Sequence, residues 1–307
     1  MHSLGLRLLL AFVVTLCGFA VAGGWVFEAG LAHCAQEVPW SEPKEFIFTN
    51  PADGVEIPCL ANLKEGADVL VVLLHGMGGT KGGFLKEKSM LEADGIGWVG
   101  FDQRGHGDSK VPFSFLGSLS DLETLIVWLK EAYPKKRLVV YGHSLGASLG
   151  CMLGTTRAKD LVELVVSVAS PSKLGDLYRM QPLLDMLNLR VENGGFPVLE
   201  LFLRSPRPVG GILFDQTSFE EFVIDGNRVR MKDSIGLLSP TPILLVHGAL
   251  DASVTLPRAL DLFHAANDPK EFVVFPCERH TFEDKEALMR LVVSRINSPK
   301  SAYAGIS

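Results

Sequence analysis

The sequence predicts a doubly wound α/β architecture, a mostly parallel sheet covered on both faces by helices. Three observations carry this. Apolar runs rich in Val, Leu and Ile recur without polar alternation at residues 69–74, 97–101, 138–141, 164–169, 243–246 and 272–275, the pattern of strands buried on both faces. Longer helical patterns separate them, at 84–92, 119–132, 144–157, 256–266 and 282–296. Between the run at 138–141 and the helix after it stands Gly142-His143-Ser144-Leu145-Gly146, a Gly-x-Ser-x-Gly pentapeptide placed where a strand turns sharply into a helix.

The first residues stand apart. Met1 to Arg7 carries a positive charge and residues 8–27 carry none. Ala20-Val21-Ala22 offers a small-x-small site ahead of Gly23-Gly24, which predicts a signal peptide over residues 1–22 and hence export. The same run matches the about 20 residues that a bilayer span needs, so a retained anchor over 8–27, with membrane association, is the alternative. Arg7 before the run and Glu28 after it favour a main domain outside the cytoplasm in either case, periplasmic, secreted or anchored. A lipid-modified Cys34 is a third option, disfavoured by His33 where a small residue is wanted.

The main domain is expected over residues 44–297. Residues 45–48 and 55–58 read as an edge hairpin, because Pro58 cannot donate to a central ladder. Residues 171–239 hold amphipathic pieces but no core strand, far more chain than the dozen or so residues of a crossover. That excess is expected to be a helical cap inserted after the sixth strand, with Leu187, Phe196, Leu199 and Phe202 lining a substrate pocket. A second structural subdomain without substrate contact is the alternative.

At 307 residues, 47% hydrophobic and 21% charged, the chain suits one domain with a large core. A net charge of −6, with the lone basic cluster at Lys135-Lys136-Arg137, argues against nucleic acid as a partner. Five cysteines, irregularly spaced, make no disulfide framework. Cys151 reads as a small buried hydrophobe, and Cys34 with Cys59 or Cys277 leaves room for one bridge.

The chemistry-bearing motifs fall at strand ends. Ser144, lifted by the tight turn, is the candidate nucleophile, and the flanking glycines spare the turn a Cβ clash. His75-Gly76-Met77-Gly78-Gly79 follows the run at 69–74; its small residues let N–H groups point at a developing oxyanion, and such a donor is worth on the order of 10²–10³ in rate. Met77 and Leu145 are the assigned donors. The loop fits neither phosphate-binding pattern, since Thr80 precedes Lys81 and no glycine stands at Lys81. A serine needs a base held in one tautomer by an acid. His280, just past the last strand, is the candidate base, with a solvated loop histidine as the alternative. His75, His106, His143 and His247 sit inside turn motifs and read as packing groups. Asp251, in the loop after the run at 243–246, is the candidate acid, with a helix-capping role as its alternative; Asp261 and Asp268 are weaker candidates.

The order Ser144, Asp251, His280, together with the His-Gly loop, the pentapeptide and the turn Asp102-Gln103-Arg104-Gly105-His106-Gly107-Asp108-Ser109, resembles the α/β-hydrolase superfamily. The resemblance is greatest to its branch of monoacylglycerol lipases, lysophospholipases and serine aminopeptidase-like enzymes, and spans residues 46–296. It implies the α/β-hydrolase fold and a structural role for the turn at Asp102. It also implies hydrolysis of a carboxylic ester through an acyl-serine, without metal or organic cofactor. A lipid-like monoester, of the monoacylglycerol or lysophospholipid type, is the expected small-molecule substrate. An exopeptidase on the same residues is the alternative within enzymes, and a catalytically silent binding protein of the cell envelope is the alternative outside them. The chain departs from many relatives in having no glycine before His280, and the export segment is unusual for the soluble members.

Overall fold

The computed structural model describes residues 42–64, 66–177, 207–209 and 211–298. The expected signal or anchor segment and the pocket candidates Leu187, Phe196, Leu199 and Phe202 lie outside them.

Eight strands form the main sheet: β1 (Lys44–Thr49), β2 (Glu56–Asn62), β3 (Val69–Leu74), β4 (Gly97–Phe101), β5 (Arg137–His143), β6 (Leu164–Val168), β9 (Ile243–Gly248) and β10 (Lys270–Phe275). Their spatial order is β1-β2-β4-β3-β5-β6-β9-β10. From β4 to β10 every pairing is parallel; the β1–β2 and β2–β4 pairings are antiparallel. Strand periodicity explains the unbroken apolar runs. Val69, Val71 and Leu73 join a cluster with Leu91 of helix α1 (Leu85–Ala93) and with Leu288, Met289, Val292 and Ile296 of helix α7 (Lys285–Asn297). Leu70, Val72 and Leu74 point to the opposite face and are equally inaccessible. There the sheet is met by α3 (Leu145–Met152), which packs against α2 (Phe115–Ala132). Each such side chain contributes about 1.5–3 kcal/mol on burial, so the central strands hold the fold.

β1 and β2 form the expected antiparallel hairpin at one edge of the sheet, but the outermost strand is β1 and not the strand that holds Pro58. β2 is an interior strand between β1 and β4, and Pro58 is tolerated because its pairing with β4 begins only at Cys59 opposite Phe101. One residue further out, the Asp102 N–H donates to the Pro58 carbonyl at 2.9 Å, so no ladder donor is missed.

Helix boundaries shift for local reasons. α2 starts at Phe115 rather than 119, because the Ser114 hydroxyl accepts from the Gly117 N–H and caps the first turn. α3 gives way to a 3₁₀ turn at Leu153–Thr155, where Gly154 lies against the backbone of Leu237 and Leu238. α7 begins at Lys285, capped by Asp284.

Between β6 and β9 the described part of the insertion holds a separate hairpin, β7 (Arg207–Val209) with β8 (Ile212–Phe214), and helices α4 (Gln216–Arg228) and α5 (Met231–Ser234). An Asp215/Ser218 capping box starts α4. The hairpin is sewn to the loop after β4: Phe113 N–H donates to Leu213 O, and Leu213 N–H to Gly105 O. The rings of Phe113, Phe214 and Phe222 pack there with centroids 5.2–5.6 Å apart. Helix α6 (Leu256–Ala265) follows β9. Among the described residues no helix is long and apolar enough to cross a membrane.

Candidate active site

β5 delivers Ser144 through a turn that admits only glycine on either side. A Cβ at Gly142 would lie 2.4 Å from the Gly146 carbonyl oxygen, and one at Gly146 would lie 2.1 Å from that of Leu74. Ser144 takes φ 55° and ψ −113°, a conformation that costs on the order of 1–3 kcal/mol in a residue with a side chain. The surrounding bonds impose it: the Ser144 N–H donates to Val168 O at 2.9 Å, and its carbonyl accepts from the Ser148 N–H at 3.0 Å.

The ends of β9 and β10 are joined closely enough to bring two loops together. A Cβ at Gly248 would sit 2.3 Å from the Glu278 carbonyl oxygen, and the Leu250 N–H donates to that same oxygen at 2.9 Å. The Glu278 carboxylate, buried, accepts from the N–H groups of Glu283 and Asp284 at 2.5 and 3.0 Å, which closes the loop carrying His280. Asp251 is 4% exposed; its Oδ1 accepts from the N–H groups of Ser253 and Val254, both at 2.8 Å. Its Oδ2 accepts from His280 Nδ1 at 2.7 Å, and His280 Nε2 accepts from the Ser144 hydroxyl at 2.9 Å. Because a carboxylate only accepts, the imidazole carries its proton on Nδ1 and leaves Nε2 free to take the serine proton. Burial alone would raise the Asp251 carboxyl, yet the His280 bond, the Val254 N–H and the neighbouring histidines hold it below the usual carboxylate range. A carboxylate so held stays charged at neutral pH.

The loop after β3 lies against this serine. A Cβ at Gly76 would come 3.3 Å from Ser144 Cβ, and Gly78 has φ 73°. Neither the Met77 nor the Leu145 N–H donates a hydrogen bond among the described residues. Leu145 opens α3, where unsatisfied N–H groups carry partial positive charge.

Four histidines of the turns donate to main-chain carbonyls: His75 Nδ1 to Gly76, His106 Nδ1 to Arg104, His143 Nε2 to His280 and His247 Nε2 to Val254. All four are held below the ordinary imidazole range, primarily by burial; His75 and His143 fall to about 4. Asp261 is half exposed, with its carboxylate 3.7 Å from Arg258 on the same helix. Among the described residues no His, Cys, Asp and Glu cluster could hold a metal ion, and Cys59, Cys151 and Cys277 are free thiols.

Sequence reasoning placed Asp102 in a structural turn but missed its partners. The carboxylate accepts from the backbone N–H groups of Lys81 and Asp108, at 2.6 and 2.9 Å, and from the Lys81 ammonium at 3.2 Å. Lys81 also pairs with Asp108, so the loops after β3 and β4 are locked beside the site. Arg104 reaches across to Asp121 and Asp53 rather than to Asp102. The hydrogen bond from His143 to His280 was also missed, since nothing in the sequence shows which carbonyl a turn histidine meets.

Comparison with known proteins bears on the fold. Residues 69–191 match the family model described as alpha/beta hydrolase fold. The lysophosphatidylserine lipase ABHD12 of Danio rerio is 36% identical over 203 residues, covering 66% of this chain and 48% of that protein, so the chain spans about half its length. The uncharacterized protein YfhR of Escherichia coli O157:H7 is 23% identical over 273 residues, 84% of this chain and 83% of that one. Among solved structures, the alpha/beta hydrolase GrgF of Penicillium sp. sh18 superposes with a TM-score of 0.67 at 16% identity, over 82% of this chain and 97% of that one. The Pyrococcus furiosus esterase Pf2001 superposes with a TM-score of 0.59 at 20% identity, over 83% and 90%. At such identities the superpositions speak for the fold alone. The observed architecture and the family-model match over residues 69–191 identify the chain as a protein of the α/β-hydrolase fold, with a lipase among its sequence relatives.

Proposed function

We propose that this chain is a serine hydrolase that cleaves carboxylic esters through an acyl-serine intermediate. The observation that carries the reading is the unbroken hydrogen-bond chain from Ser144 through His280 to Asp251 at the strained turn. Ser144 attacks the ester carbonyl while its proton passes to His280 Nε2. Asp251 keeps the imidazole in the Nδ1–H tautomer and stabilises the imidazolium. The N–H groups of Met77 and Leu145 receive the oxyanion. The imidazolium then protonates the departing alkoxide, and water, deprotonated by the same base, releases the acid and restores the serine. The route needs no cofactor.

A lipid-like monoester is the proposed substrate, with Leu187, Phe196, Leu199 and Phe202 of the insertion meeting the acyl chain. The lipase and esterase names among the relatives support this substrate class. An apolar, uncharged N-terminal run supports export, by a cleaved signal or a retained anchor.

The test is a panel of p-nitrophenyl esters of graded chain length beside aminoacyl-nitroanilides. The reading expects ester turnover that improves with acyl length. Turnover confined to the anilides would replace the esterase by an exopeptidase, and none on either would favour a silent binding protein.

A further inference from the structure

The proposed reaction gives His143 no part, yet its ring meets both the turn of Ser144 and the loop of His280. The residue stands at the end of β5, joined by a peptide bond to Ser144. Its ring centroid is 5.1 Å from that of His280, and its Nε2 lies 2.7 Å from the His280 carbonyl oxygen. A carbonyl only accepts, so Nε2 bears the proton. On the ring's other side a Cβ at Gly76 would be 3.0 Å from Nδ1. The ring is therefore wedged between the loop after β3 and the loop after β10.

We propose that His143 is a positioning residue whose Nε2–H holds the main chain of His280, fixing the turn that carries the nucleophile to the loop that carries the base. The inference rests on the Ser144–His280–Asp251 reading.

The physical need is plain. The Ser144–His280 hydrogen bond is broken and remade whenever the proton moves, so it cannot by itself hold the two loops in register. The other hydrogen bonds of the His280 loop run to the loop after β9 and within itself, through the Glu278 carbonyl and carboxylate. They fix His280 relative to Asp251. The bond from His143 fixes it relative to Ser144, and no reacting atom takes part in it. His143 suits the task because it stays neutral beside a base that becomes cationic: burial, then the proximity of His280 and Lys285, hold it down to about 4 against the opposing effects of its own hydrogen bond and of Asp251.

The experiment compares His143→Leu, which removes the donor, with His143→Gln, whose side-chain amide offers an N–H at the place of Nε2. For each, kcat, KM and the pH profile of kcat on a p-nitrophenyl ester are measured beside the urea unfolding midpoint. A displacement of about 1 Å costs up to about 10²-fold in rate, so His143→Leu is expected to lower kcat by about 10–100-fold. KM should stay within about twofold, the signature of an interaction that matters in the transition state. The acid limb of kcat should stay in place, because the ties through Glu278 keep His280 on Asp251. His143→Gln should recover most of the rate. In the wild type, imidazole ¹⁵N spectra should report the neutral Nε2–H tautomer of His143, a readout that holds even if His143→Leu does not fold.

A folded His143→Leu with unchanged kcat overturns the proposal, and so does one whose acid limb moves, since that would put the displacement at Asp251 rather than at Ser144. So does a His143→Gln as impaired as His143→Leu, or a wild-type His143 protonated on Nδ1. Ser144→Ala and His280→Ala run alongside: if they retain activity, the underlying reading fails, and if they lose it while His143→Leu does not, this inference fails alone.

Discussion

Acidification should destabilise this protein through histidines that the fold keeps neutral. His75 is 3% exposed; its Nδ1 donates to the Gly76 carbonyl and its Nε2 accepts from the Gln103 N–H, so neither nitrogen can take a further proton without breaking a bond. Burial, reinforced by His106, lowers it to about 4, and His143 reaches the same value. An unfolded chain returns both to about 6.5. A group whose folded pKa lies below its unfolded one binds fewer protons in the native state across that window. Stability is therefore complete above about pH 7 and falls as pH drops towards 4. At about pH 5 the unfolded imidazoles are almost fully charged and the native ones about one-tenth charged, which costs about 2 kcal/mol per residue and about 4 kcal/mol for the pair. That is a large part of the 5–15 kcal/mol typical of a domain. His106 and His247 are shifted the same way and add to the effect. Urea unfolding followed by tryptophan fluorescence at about pH 8 and about pH 5, at matched ionic strength, measures it, and His143→Gln should remove about 2 kcal/mol of the pH dependence. Stability that is flat within about 1 kcal/mol, or that rises on acidification, would refute the reasoning.

Three further outcomes follow from the same geometry. Asp251→Asn should leave the fold intact but favour the wrong imidazole tautomer, lowering kcat by up to about 10⁴-fold in steady-state ester assays, while Asp261→Asn, half exposed beside Arg258, should do little. Gly146→Ala forces a Cβ to within 2.1 Å of the Leu74 carbonyl oxygen and should yield little soluble folded protein, whereas Gly150→Ala meets Val165 at 3.2 Å and should express and fold, as circular dichroism will report. Intact-mass measurement on envelope fractions should find a mature chain starting at Gly23 if the signal is cleaved, or a full-length membrane-bound chain if it is an anchor; full-length protein in the cytosol would contradict both.

Much of the fold was legible because its central strands are buried on both faces. Val69 to Leu74 has no polar residue to disguise it, and Gly142 and Gly146 mark a turn where backbones approach too closely for any side chain. Ser144, Asp251 and His280 were legible for a related reason: each stands in the loop that follows a parallel strand, and the parallel register carries those loops to one edge. What stayed hidden depends on partners distant in sequence. Pro58 read as an edge signal, because nothing local shows that β4 ends one residue short of its missing N–H. The turn at Asp102 gave no hint of Lys81, nor Arg104 of Asp121, since an ion pair has no period. The short β7–β8 hairpin escaped because three-residue strands carry no alternation long enough to detect.

The central claim, that Ser144 is an activated nucleophile, is tested most directly by labelling with a fluorophosphonate and locating the adduct by peptide mass spectrometry. The account predicts one stoichiometric adduct on Ser144, formed together with loss of ester hydrolysis, absent in Ser144→Ala and slowed by at least about 10³-fold in His280→Ala. An adduct on another residue, or a Ser144→Ala protein that keeps most of its ester hydrolysis, would contradict it.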